Sequence, residues 1–82
     1  MNRDWVLFHL KEAHEELTRS IQEIRDTPDY DYGEFFPAMQ HLYHHLNTAW
    51  NARDASESDV AHANDANFKR WSSFPADLVM FE

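Results

Sequence analysis

From Arg3 to Asp26 the apolar residues Val6, Leu7, Leu10, Ala13, Leu17, Ile21 and Ile24 recur at intervals of three and four, the spacing of one face of an α-helix. No other stretch restricts the fold as firmly. Asn2 can cap the start of this helix, and Glu15 and Arg19 form an i,i+4 pair in the favourable order. Pro28 biases Thr27 away from helical geometry, so the helix should run from about residue 3 to about residue 26.

A second stripe, Phe35, Phe36, Met39, Leu42, Tyr43, Leu46, Ala49 and Trp50, predicts a helix over about 35–53, reached through the acidic, aromatic turn TPDYDYG. Asp31 with Glu34 three residues later has the form of a capping signal. Pro37 would cost a hydrogen bond in a helix already under way, so a first turn or kink is expected between Glu34 and Pro37. Ser56 to Asp59 reads as the start of a third helix over about 57–71, in which only Val60, Phe68 and Trp71 supply bulk. Pro75 then breaks the chain into a tail, 72–82, whose apolar run Leu78 to Phe81 should dock on a surface. The expected fold is all-α: one domain over 1–82, with an antiparallel helical hairpin, a shorter third helix and an apolar C-terminal tail.

A chain of 82 residues has a marginal core, and with no cysteine it has neither disulfides nor thiolate metal sites to add to it. Its 3 Trp, 3 Tyr and 6 Phe are more aromatic surface than two helices can cover. Trp5 and Phe8 point away from the first stripe and are the expected interface markers. These observations favour a homodimer whose two hairpins complete a helical bundle. A formal charge of -8 opposes phosphate binding, which excludes nucleic acid as a partner. The N-terminal segment is interrupted by Asp4, His9, Lys11 and Glu12, so neither a signal peptide nor a membrane span is expected, and a cytoplasmic location follows. One glycine leaves no room for a phosphate-cradling loop. A two-helix carboxylate site for Mg2+ fails because no acidic residue lies between Phe35 and Arg53.

A turn near residue 30 or 31 would place residues whose numbers total about 61 level across an antiparallel pair. His14 then falls within the apolar stripe opposite Asn47 and near Tyr43, where it would be buried and hydrogen-bonded. Glu12, Glu16, Ser20 and Glu23 line one shoulder of the first helix and face His41 and His45, with Glu16 level with His45. His41 and His45, one turn apart, can share a divalent transition-metal ion with Glu16 or Glu12 as third ligand, a set that suits Zn, Ni or Fe(II) and could support hydrolysis. His44 points some 60° away from His41 and is the least suited ligand. His9 and His62 belong to no constellation, Trp50, Tyr43 and Trp71 read as core, and no nucleophile accompanies His14. The leading expectation is a dimerising interaction or accessory domain without catalysis or cofactor; the alternative is a metal-binding bundle built on His41, His45 and Glu16.

Overall fold

The chain closes on itself at Asn2, whose side chain accepts from the Trp5 amide (3.1 Å) and donates to the Ala55 carbonyl (2.9 Å), while its own N–H donates to the Arg53 carbonyl (2.6 Å). One residue thus caps a helix and ties that helix to the far end of the next. In the computed structural model, which describes residues 1–80, the helices are α1 (Arg3–Asp26), α2 (Tyr32–Asn51), α3 (Glu57–Ala61) and α4 (Asp65–Ser72), and the described residues contain no strand. The protein is all-helical.

The Asp31 carboxylate accepts from the Gly33 amide (2.8 Å) and Glu34 returns to the Asp31 N–H (2.8 Å), so the capping box starts α2 at Tyr32, three residues earlier than expected. Pro37 therefore lies inside α2. The third helix expected over about 57–71 is two helices. Ser56 and Asp59 form a capping box for α3, and Asn64 begins α4 by accepting from the Asn67 amide (3.0 Å). The asparagine that weakened the expected helix is the cap of a new one.

α1 and α2 pack antiparallel, and α4 packs on α2. Asn51 Nδ2 donates to the carbonyls of Trp71 (2.8 Å) and Ser73 (2.6 Å), and Asn47 Nδ2 to that of Ser72 (2.9 Å), so two α2 amides satisfy the carbonyls that α4 leaves open at its C-terminus. Trp71 is buried, and its ring meets that of Trp5 at 6.1 Å. Trp5 is half-buried through this contact, while Phe8, stacked on Trp5 at 5.8 Å, stays exposed. In the tail Pro75 is buried and Asp77 accepts from Trp50 Nε1 (2.9 Å). Leu78, Val79 and Met80 are exposed, and Phe81 lies outside the described residues.

The contact face of α1 differs from the expected one. Its buried residues are His9, Ala13, Glu16 and Ser20, and those of α2 are His45, Asn47, Thr48 and Ala49. The apolar stripe is rotated out by roughly a quarter turn. His14 is exposed, not buried against Asn47, whose amide serves Ser72 instead, and Tyr43 is exposed rather than core. Register also shifts. The turn over residues 27–31 is centred earlier than the sequence spacing suggests, which sets Glu16 against His41 and His9 against His45. Small side chains at Ala13, Ser20 and Ala49 admit this polar stripe to the seam between the helices.

Candidate functional site

A line of four polar side chains crosses the seam. His41 Nδ1 stands 3.0 Å from Glu16 Oε1, His45 Nε2 3.0 Å from His41 Nε2, and His9 Nδ1 2.8 Å from His45 Nδ1. Helical spacing builds it: Glu16 lies two turns beyond His9 on α1, and His45 one turn beyond His41 on α2. Ser20 Oγ (3.2 Å) and Arg19 Nε (3.4 Å) also donate to Glu16 Oε2.

Burial works against the charge of Glu16, but the His41 hydrogen bond, the Arg19 charge and the Ser20 hydroxyl outweigh it and hold the carboxyl below its ordinary range. The histidines respond in the opposite sense. Burial, then the nearness of His45 and His44, lowers His9 to about 4. Burial, then His44 and His41, lowers His45 to about 4 despite Glu16, and burial followed by His41 also lowers His44. At neutral pH, His9, His44 and His45 are neutral imidazoles, the form that ligates metals.

The structure brings Glu16, His41 and His45 together, joined in file by hydrogen bonds. A second grouping lies close together: His9, His44 and His45 each offer a ring nitrogen within 4.8 Å of those of the other two. His44 enters because its ring lies 4.7 Å from that of His45 and 6.0 Å from that of His9. Sequence spacing alone assigns His9 no role. A signal for it exists, since it sits on the shoulder of Glu16 and Ser20, seven residues before Glu16.

The other feature is the outer face of the hairpin. Leu10, His14, Leu17 and Ile21 each follow a contact residue of α1 by one position, and Leu46 and Trp50 do the same on α2. A step of one residue turns the side chain by about 100°, and in an antiparallel pair equal turns lead to the same side. The opposite side, reached from the preceding positions Phe8 and His44, carries α4: His44 meets Phe68 at 4.6 Å. On the free side Leu7, Leu10, Leu17, Ile21 and Ile24 keep 44 to 55 % of their surface, with Phe36 at 66 %, Tyr43 at 53 % and Leu46 at 41 %.

These features define an all-helical protein built on an antiparallel hairpin, with a polar seam inside and an apolar face outside. Comparison with protein-family models, curated proteins and solved structures finds no match to this chain. No described helix is long and apolar enough to cross a membrane.

Proposed function

We propose that the protein is a self-associating helical domain: two copies join their outer hairpin faces into a four-helix core, and the dimer acts as an interaction or accessory module in the cytoplasm. One observation carries the reading. On α1, Leu7, Leu10, His14, Leu17, Ile21 and Ile24 repeat strictly at three and four, and five of the six are apolar and half exposed. This is the seam of a coiled coil without its partner helix.

The half-exposed leucines, isoleucines and aromatics of the two helices amount to on the order of 800 Å2, the contribution of one partner to an interface of standard size. Monomeric domains seldom leave so large an apolar face in water. A second copy fits because the α1 seam is self-complementary: about a centre midway between His14 and Leu17, antiparallel pairing sets Leu7 against Ile24 and Leu10 against Ile21. The charge of -8 on each copy works against association, so added salt should strengthen the dimer.

Sedimentation equilibrium tests the reading with the full chain and Leu17→Asp. Leu17 is exposed in the single copy, so the substitution should leave the helical circular dichroism unchanged and convert dimer to monomer. A monomeric parent chain, or a dimer that survives the aspartate, overturns it.

A further inference from the structure

We infer that His9, His44 and His45 form a binding site for a divalent transition-metal ion of the Zn2+, Co2+ or Ni2+ class, with Glu16 and His41 acting behind them as positioning residues. The donor set fits such ions: imidazole suits them, and three nitrogen ligands with an open position is a common arrangement for zinc. Chelation across two helices also fits, with His9 from α1 and His44 and His45 from α2.

The hydrogen-bonded line sets which ring nitrogens carry the protons. Glu16 is ionised and can only accept, so His41 donates from Nδ1, and as a neutral imidazole it would accept at Nε2. In that arrangement His45 donates from Nε2 and accepts at Nδ1 from His9 Nδ1, which leaves His9 Nε2 bare; an ion bound at His45 Nδ1 displaces this hydrogen bond from His9. The carboxylate thus fixes the tautomers of three histidines in turn, the part that outer carboxylates play behind metal-ligating imidazoles.

Two further observations mark the spot. His9 is 4 % exposed, and its Nε2 has no hydrogen-bond partner among the described residues, nor does the buried Nδ1 of His44. Buried polar atoms are nearly always satisfied, so two such imidazole nitrogens in one cluster call for a ligand. Both histidines line a cavity of about 140 Å3 shared with Trp5, Thr48, Phe68 and Trp71. Trp5 Nε1 and Thr48 Oγ1 are buried and likewise without a partner among the described residues. The cavity has space for roughly four waters, and these two groups can hydrogen-bond a water or small anion carried by the ion.

The test titrates the untagged, chelator-treated full chain with Zn2+ by calorimetry and with Co2+ by visible absorption. The expected result is one ion per chain, a raised melting temperature, and cobalt bands of a low-coordinate nitrogen site. His44→Ala and His9→Ala should each weaken binding by about a hundredfold or more, whereas His14→Ala and His62→Ala leave it unchanged. Glu16→Gln and His41→Gln should keep the stoichiometry and the cobalt spectrum while weakening binding by about 10- to 100-fold. His9→Gln replaces the alanine variant if that variant loses its helical spectrum. Absence of stoichiometric binding overturns the inference. So does undiminished binding by His44→Ala, or abolition by Glu16→Gln and His41→Gln while the His9 and His44 variants still bind, which would assign the ion to Glu16, His41 and His45. Dimerisation through the outer face involves none of His9, Glu16, His41, His44 and His45, so either proposal can fail alone.

Discussion

His9 and His45 are neutral because the seam that holds them is dry and because each lies beside other imidazoles. That neutrality has a cost in acid. Each has a folded-state pKa of about 4 against the ordinary value of 6.5, so the unfolded chain takes up protons first as pH falls. The stability they contribute is full above about pH 6.5 and is lost progressively toward about pH 4. One such shift corresponds to on the order of 3 kcal/mol, and the two histidines titrate as a coupled pair rather than singly. Glu16, lowered from its ordinary value, acts in the same direction at still lower pH. Thermal melts of the metal-free chain at constant ionic strength should show a steep fall in melting temperature between about pH 6.5 and about pH 4, and His45→Gln should flatten it. A melting temperature unchanged over that range would show that the seam is wet.

Among the elements, the α1 terminus has the most concentrated dependence on one side chain. Asn2→Ala removes both the cap on Trp5 and the tie to Ala55, so it should cost about 1–2 kcal/mol, whereas Asp31→Ala, on an exposed turn, should cost about 1 kcal/mol. For a domain of this size the first corresponds to a loss of roughly 4–16 °C in melting temperature. Equal melting temperatures for the two variants would mean that the Asn2–Ala55 tie adds nothing. Both caps are readable in the sequence, as are the two long helices and the stop before Pro28. What the sequence does not disclose is which face of each helix turns inward. An apolar stripe is ordinarily the buried one, and that rule puts Leu17 and Leu46 at the centre and His14 inside. Here Glu16, His41, His45 and His9 satisfy one another, and Ala13, Ser20 and Ala49 leave them space, so the polar stripe takes the seam. The shoulder of Glu16 and His41 is legible by counting. His9 and His44 depend on register and on the placement of α4, both set by tertiary contacts.

For the whole molecule, an inward polar seam and an outward apolar face make the hairpin half of a larger core, and His14 tests that description most directly. It stands exposed in the outer seam, between Leu10 above and Leu17 below, at a position where a coiled coil places an apolar residue. If a second copy covers this face, each dimer buries two imidazoles among leucines and isoleucines, a polar intrusion that lowers affinity while favouring one register over others. His14→Leu should therefore leave the single hairpin unchanged and strengthen the dimer. Burying a leucine in place of a half-exposed polar side chain is worth about 1.5–3 kcal/mol, and it occurs twice per dimer, so the dissociation constant should fall by about a hundredfold or more. Sedimentation equilibrium at several concentrations reads this directly, and the same variant should bind Zn2+ as the parent does. A dimer unaffected by His14→Leu would place the contact elsewhere. An increase in aggregates without a tighter dimer would show that the face has no partner of its own shape and that leucine there only adds to an exposed apolar surface.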